Sequence, residues 1–66
     1  MAVLKVLEIL ASSRKSWEDA TAIAVKKAGK SLKNIRSANV SNMSTTIENN
    51  KIKEYRVNVK VVFEVD

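Results

Sequence analysis

The sequence predicts an α+β fold in which one helix packs against a three-stranded antiparallel sheet, with the elements in the order β-α-β-β. Two observations carry this prediction. Apolar residues recur at helical spacing in the middle of the chain, and they alternate with polar residues towards the C-terminus. In addition, Asn49-Asn50 is a two-residue turn signal of the kind that joins neighbouring antiparallel strands.

The first strand is predicted at residues 2–11, AVLKVLEILA, which are rich in Val, Ile and Leu. Its apolar residues fall on both faces: Leu4, Val6 and Leu10 on one, and Val3, Leu7 and Ile9 on the other. Such a composition is typical of a strand that is covered on both sides.

The helix is predicted from about Ser16 to Lys33, where the apolar period changes. Ser16 followed by Asp19 resembles a capping box, and the acidic start and basic end of the segment suit the helix dipole. The apolar stripe is rich in alanine, so the helix can approach a sheet closely. Its members are Ala20, Ile23, Ala24, Ala28, Leu32 and Ile35.

The last two strands are predicted as a hairpin in which Ile47 lies opposite Ile52. Extending this register places Ala38 and Val40 on the helix side, beside Val61 and Val59. It places Ser37, Asn39, Ser41 and Met43 on the open side, beside Val62, Lys60, Asn58 and Arg56. This small, polar strand face is either solvated, or a contact with another subunit or with a ligand held between subunits.

Length and composition limit how the fold can be stabilised. The 66 residues make one domain, residues 1–66, and a chain of this size buries only about 60% of its surface on folding. The sequence has no Cys and no His, which excludes disulfides and the usual zinc sites. A calcium or magnesium site built from oxygens stays open. By elimination, assembly with further subunits is the expected support, although many domains of this size fold alone.

The net charge of +5 suggests an anionic partner, but the clustered lysines of the helical segment are typical of a solvated face. We do not expect nucleic-acid binding, because an RNA-binding sheet displays aromatic residues on its open face, and Tyr55 and Phe63 fall on the helix side. No apolar stretch approaches the roughly 20 residues of a membrane-spanning helix, and the N-terminus lacks the features of a signal peptide. We therefore expect a cytoplasmic protein without a membrane partner.

Enzyme activity is not expected either. Besides lacking His and Cys, the sequence has no glycine-rich phosphate loop. Its Ser and Lys residues form no recognisable pair of nucleophile and base. The sequence therefore indicates a binding or structural protein.

Three segments together resemble the dodecin family. They are KVLEILASSRKSWEDATAIAVKKA at residues 5–28, SLKNIR at 31–36 and KIKEYRVNVKVVFEV at 51–65. The resemblance covers essentially the whole chain, and SWEDA followed at this distance by EYRVNVKVVF is fairly specific. It implies a subunit that assembles as a hollow homododecamer and binds or stores a small ligand without catalysis.

Typical dodecins hold flavins between subunits, where a Trp at the start of the second strand stacks on the ring and a Gln of the third strand bonds its edge. The Trp position falls here on Ser37, and the Gln position falls on Arg56. A later segment of the second strand, associated with the flavin and its phosphate, falls on Ser44, Thr45 and Thr46. Because an aromatic stack contributes about 0.5–1.5 kcal/mol beyond its buried area, the resemblance implies weakened binding of riboflavin, FMN or FAD.

Two further residues have open roles. Arg56 could hydrogen-bond a flavin carbonyl or a phosphate, or it could pair with Glu54 or a neighbour's acidic residue. Trp17 lies in the scaffold motif at the helix start, where packing is the expected role.

The alternative is a calcium-binding or purely structural dodecin without flavin. Calcium dodecins lack the stacking Trp, and the NIR-x-A-x-V pattern of this chain is closer to theirs. Calcium takes six to eight oxygen ligands, which could come from different subunits. Candidates are Glu48, Glu54, Glu64 and Asp66, and the sequence does not single out a metal site among them.

Overall fold

A computed structural model describes residues 2–65 and has the predicted element order. Strand β1 spans Val3–Ser13, helix α1 Trp17–Ala28, strand β2 Ile35–Glu48 and strand β3 Lys51–Val65. The strand order is β1-β3-β2, so β3 is central and pairs antiparallel with both neighbours. The predicted fold class, one helix on a three-stranded antiparallel sheet, is confirmed.

The start of α1 is held by side chains on both sides of the turn that precedes it. Ser16 is the N-cap, and its hydroxyl accepts a hydrogen bond from the Asp19 amide at 2.9 Å. The Asp19 carboxylate in turn accepts a hydrogen bond from the buried Ser13 hydroxyl at 2.6 Å. The Ser16 half of the predicted capping box is confirmed, whereas the Asp19 carboxylate bonds Ser13 and fixes the end of β1 to the first turn of the helix.

The helix ends earlier than predicted, at Ala28 instead of Lys33. Gly29 follows it, and the Leu32 amide donates to the Ala28 carbonyl at 2.8 Å in a turn that closes the helix. Gly29 keeps helical dihedral angles, and beyond it the amides of Lys30 and Ser31 donate to the carbonyls three residues earlier, in a tighter turn that leads to β2. Leu32 and Ile35 still pack against the core, but from the turn and from β2, so their helical spacing was coincidental.

The core is the contact between the alanine stripe and the central strand. Its apolar residues, all at most 5% exposed, are Ala20, Ala24, Ala28, Val57, Val59 and Val61. Because alanine methyl groups are short, the helix lies close to β3. Ile23, which was predicted in the stripe, lies at its edge and is 39% exposed.

The sheet is much longer than the helix that covers it. The 15 residues of β3 extend about 50 Å, whereas the 12 residues of α1 rise only about 18 Å. The chain measures 50 × 19 × 13 Å, and its radius of gyration of 13.4 Å exceeds the roughly 11 Å of a compact chain of this length. One helix therefore cannot cover the sheet.

Strand β1 shows the consequence most clearly. Its predicted two-sided apolar pattern is confirmed by the register, which pairs Leu10 with Asn58 on the open face and Ile9 with Val59 on the helix side. The exposed residues of the pattern include Leu4 and Val6 on the open face, and Val3 and Leu7 on the other. Both faces of this strand thus present apolar surface that the single chain leaves to solvent.

The hairpin forms as predicted. Asn49 and Asn50 have φ values of 52° and 62°, and Ile47 lies opposite Ile52. Asn tolerates this left-handed conformation better than other residues with a side chain. The predicted pairs Ala38–Val61 and Val40–Val59 are also present.

The predicted register is wrong over the middle of β2, where β-bulges interrupt the ladder. Ser41 is an extra residue between Val40 and Asn42, and its hydroxyl donates to the Asn58 carbonyl at 3.3 Å. After this bulge Asn42 instead of Ser41 pairs with Asn58, and Ser44 instead of Met43 pairs with Arg56. Met43 lies opposite the helix-facing Val57. A second irregularity, with Lys53 as the extra residue of β3, restores the register at the turn.

Among the described residues, no helix has both the length and the apolar character needed to cross a bilayer.

Candidate functional site

A cavity of about 500 Å³ lies where the open face of the sheet meets the bulged part of β2. Its size falls within the range of typical small-molecule sites. The lining residues, which we call the Arg56 pocket, are Leu10, Ala11, Ser12, Ser44, Arg56, Val57 and Asn58. All three strands therefore contribute to the pocket.

The register explains how these side chains meet. Ser12 of β1 and Ser44 of β2 lie directly opposite Arg56 of β3, one on each side. Directly paired residues have Cβ atoms about 4.5–5.5 Å apart, so the two hydroxyls flank the base of the Arg56 side chain. The next row on the same face consists of Leu10, Asn58 and Asn42. The pocket thus combines an apolar side chain with a concentration of hydrogen-bond donors.

Arg56 has no partner within the described part of the chain. The ion pairs between described residues are Arg36–Glu64 at 3.1 Å and Lys53–Glu48 at 2.9 Å. The expected alternative, an intrachain salt bridge of Arg56 with Glu54, is not formed. The side chains of the flanking serines also make no hydrogen bond to residues 2–65.

Trp17 supports the pocket from the opposite side of the sheet. Its indole Nε1 donates to the Ser44 carbonyl at 3.0 Å. Its ring meets Tyr55 edge to face, with centroids 5.1 Å apart and an interplanar angle of 78°. These contacts agree with the predicted packing role of Trp17, and they fix the backbone that carries the Ser44 hydroxyl.

The sequence-predicted site residues separate into two groups. Ser44 and Arg56 meet in the pocket, whereas Ser37 pairs with Val62, six positions along β3 from Arg56 and about 20 Å away. Thr45 lies opposite Tyr55 and Thr46 opposite Glu54, outside the pocket lining. The Thr46 Oγ1 atom is buried without a hydrogen-bond partner in the described structure. In the described chain, Ser37 is therefore not part of the Arg56 pocket.

Sequence reasoning missed the contribution of β1 to the pocket. Leu10 was assigned to the first strand without a partner in the third, Ser12 was placed beyond the end of that strand, and Asn58 was placed on the open face but not in the site. The structure extends β1 to Ser13. Alternation in β1 and β3 already indicated which residues share the open face. The sequence did not indicate that Ser12 pairs with Arg56, because this pairing depends on the register of two strands that lie far apart in the sequence.

The acidic residues do not gather within one described chain. No group of three or more Asp, Glu, His or Cys side chains suited to a metal ion forms among residues 2–65. Of the predicted candidates, Glu48 and Glu64 are engaged in ion pairs, and Asp66 lies outside the described residues.

The match to known proteins is specific. The model of the family described as Dodecin matches residues 3–66. The chain belongs to the dodecin family. The calcium dodecin of Mycobacterium tuberculosis is 35% identical over 65 residues, which is 98% of this dodecin and 92% of the relative. The resemblance inferred from the sequence segments is confirmed.

Solved structures agree with this assignment. A crystal structure of a point mutant of T. thermophilus dodecin superposes with a TM-score of 0.94 at 29% identity, covering 100% of this dodecin and 98% of that chain. The calcium dodecin of Mycobacterium tuberculosis, a calcium-chelating protein with its own calcium-binding site, superposes with a TM-score of 0.84 at 37% identity. That match covers 97% of this chain and 91% of the other. Dodecins are oligomeric ligand-binding or storage proteins, so the family supports a binding function.

Proposed function

We propose that this dodecin, a single domain of residues 1–66, forms a hollow homododecamer that binds and stores a small organic ligand at the Arg56 pocket. The observation that carries the proposal is the pocket itself, in which a cationic side chain and two hydroxyls converge without partners. Side chains that lack partners within the subunit are available to a ligand.

The apolar surface of the subunit supports assembly. Leu10 is 73% exposed, Val3 68% and Val6 60%, all on β1, which also leaves one of its edges unpaired. Large apolar side chains exposed on both faces of one strand favour an interaction site, and a symmetric assembly of identical subunits can cover them. The difference in length between the helix and the sheet also supports assembly, because neighbouring subunits would cover the part of the sheet that α1 leaves exposed.

Flavin is expected to bind weakly if it binds at this pocket. The three aromatic residues of the chain, Trp17, Tyr55 and Phe63, are absent from the pocket lining, and Ser37 offers no ring at the position where flavin-binding relatives carry a Trp. Arg56 can hydrogen-bond the edge of a flavin ring. A hydrogen bond at the edge does not replace an aromatic side chain that stacks on the face of the ring. Loss of the stack costs about 0.5–1.5 kcal/mol per ring contact.

The test is a fluorescence titration of riboflavin against purified protein whose mass is measured by light scattering. We expect a particle of twelve subunits of 7.3 kDa, about 88 kDa, and quenching that needs more protein than a stacking dodecin would need. The matched control is Ser37→Trp, which restores the aromatic residue. It should increase the riboflavin affinity if flavin binds at the site that it occupies in the family. A monomeric mass at working concentration would refute the assembly and any pocket completed by neighbours.

The second candidate is calcium binding, which the similarity to the calcium dodecin favours. Because the described residues of one chain do not form an acidic cluster, the oxygen ligands would come from several subunits. A native-state ligand raises stability, so millimolar calcium should raise the Tm, and a chelator should reverse the change. Magnesium at the same ionic strength is the control, and an unchanged Tm in calcium would refute this candidate. A cytoplasmic location and the absence of nucleic-acid and membrane partners stay predictions.

A further inference from the structure

We propose that the Arg56 pocket selects ligands that carry a phosphate monoester, with the Arg56 guanidinium as the principal contact of the phosphate. This inference rests on the proposed function, because it names the ligand class of the same pocket. It is carried by the charge of the pocket, by the arrangement of its donors and by the apolar side chain beside them.

The positive charge of the pocket is uncompensated within the described chain. Its lining includes one guanidinium and no carboxylate. The nearest acidic residue along the same face of β3 is Glu54, which forms no ion pair with Arg56. Glu8, on the same face of β1, lies opposite Lys60. Arg56 is exposed, and a cation without a counter-charge attracts an anion.

The pocket offers more hydrogen-bond donors than the two oxygens of a carboxylate can use. The guanidinium offers a planar fork of N–H donors, which matches two oxygens of either a carboxylate or a phosphate. The hydroxyls of Ser12 and Ser44 flank the base of the Arg56 side chain on the neighbouring strands, and the Asn58 side chain lies one row further along the same face. A carboxylate has two oxygens in one plane, so it leaves these additional donors unused. The three terminal oxygens of a phosphate monoester can accept from several directions at once.

Leu10 indicates that the ligand has an organic part. It lines the pocket beside Asn58, and it is 73% exposed in the single chain. An apolar side chain next to the anion-binding donors offers a contact for the body of a phosphorylated molecule, and inorganic phosphate would not use it. A cavity of about 500 Å³ also has room for more than a phosphate ion.

The experiment compares FMN with riboflavin, which share a ring system and differ by the phosphate. Both are titrated into the assembled protein by fluorescence quenching at low salt. We expect FMN to bind at least about tenfold more tightly, because hydrogen bonds to charged groups are strong, and we expect added salt to reduce this advantage. Inorganic phosphate should weaken the binding of FMN more than it weakens the binding of riboflavin.

Two variants assign the effect to the pocket. Arg56→Gln should abolish the advantage of FMN, measured as the ratio of the FMN affinity to the riboflavin affinity of the same variant. Lys60→Gln removes a positive charge from the same face outside the pocket lining, and it should retain the advantage. Both variants are compared only after light scattering has shown the mass of the parent protein. If Arg56→Gln fails to assemble, Arg56→Lys, which keeps the charge but lacks the planar fork, should reduce the advantage severalfold.

The outcomes separate the two proposals. Equal affinities for FMN and riboflavin would overturn the phosphate inference, and so would an equal loss of the FMN advantage in Arg56→Gln and Lys60→Gln. The proposal of a ligand-binding dodecin would remain. If neither flavin binds, the proposed flavin affinity fails, and inorganic phosphate alone becomes the probe. Stabilisation of the assembly by phosphate that is lost in Arg56→Gln would then support the inference, and no stabilisation would overturn it.

Discussion

The contact between α1 and the sheet predicts a sharp difference between two alanines of the same helix. Ala24 is 1% exposed and belongs to the core that faces Val59, whereas Ala22 is exposed. The substitution Ala24→Leu adds three carbon atoms at a position where neither the helix nor the central strand leaves space. The same substitution at Ala22 adds them to solvent.

The expected magnitudes follow from this difference in burial. Overpacking a filled core costs about 1–3 kcal/mol, because side chains and backbone must move apart to admit the new atoms. An exposed Ala→Leu change in a helix stays within about 0.5 kcal/mol, since both residues are good helix formers. For a domain of this size, 1 kcal/mol corresponds to about 4–8 °C in Tm, so Ala24→Leu should unfold at least about 4 °C below Ala22→Leu.

The assay is thermal unfolding followed by circular dichroism, at one protein concentration because assembly makes the Tm concentration-dependent. Light scattering on each variant shows whether the particle mass is retained. Equal Tm values for the two variants, or a higher Tm for Ala24→Leu, would refute the close packing of helix and sheet that we infer from the alanine stripe.

Two further predictions concern the ends of elements. Ser16→Ala removes the hydroxyl that accepts from the Asp19 amide at 2.9 Å, so the free energy of unfolding should fall by about 1 kcal/mol. Ser16→Asp should restore most of this loss. Denaturant unfolding measures both variants, and an unchanged free energy of unfolding in Ser16→Ala would contradict the capping role. Asn50→Val forces a β-branched residue into a φ of 62° and should cost about 1–2 kcal/mol, whereas Asn50→Gly should be neutral or stabilising. An equal effect of valine and glycine on the Tm would show that this turn conformation is not required.

Features with a local cause could be predicted from the sequence. The hairpin turn is encoded by two adjacent asparagines, and the helix start by Ser16 and the acidic residues that follow it. The helix end was misjudged because Leu32 and Ile35 continue the apolar spacing although they reach the core from non-helical segments. Spacing reports which residues are buried, and it does not report which element carries them.

The candidate site could be predicted only in part for a related reason. Arg56 and Ser44 were named from the family pattern, but a simple hairpin register placed Met43 opposite Arg56. One extra residue at Ser41 changes that pairing, and a bulge of this kind has no distinct signature in the sequence. The contribution of Ser12 depends on pairing between the two ends of the chain, which local patterns do not determine.

The bulge at Ser41 also bears on how this strand can change over generations. In a regular strand, gaining or losing one residue turns every later side chain to the opposite face, so such changes are usually eliminated. Here the strand already holds an extra residue that has no opposite residue in the β3 ladder, although its hydroxyl donates to the Asn58 carbonyl, and the side chains on either side of it keep their faces. Loss of that residue would shorten the strand by one position and leave Ser44 beside Arg56. Ser41 is therefore a place where descendants of this gene can differ in length while inheriting the same pocket.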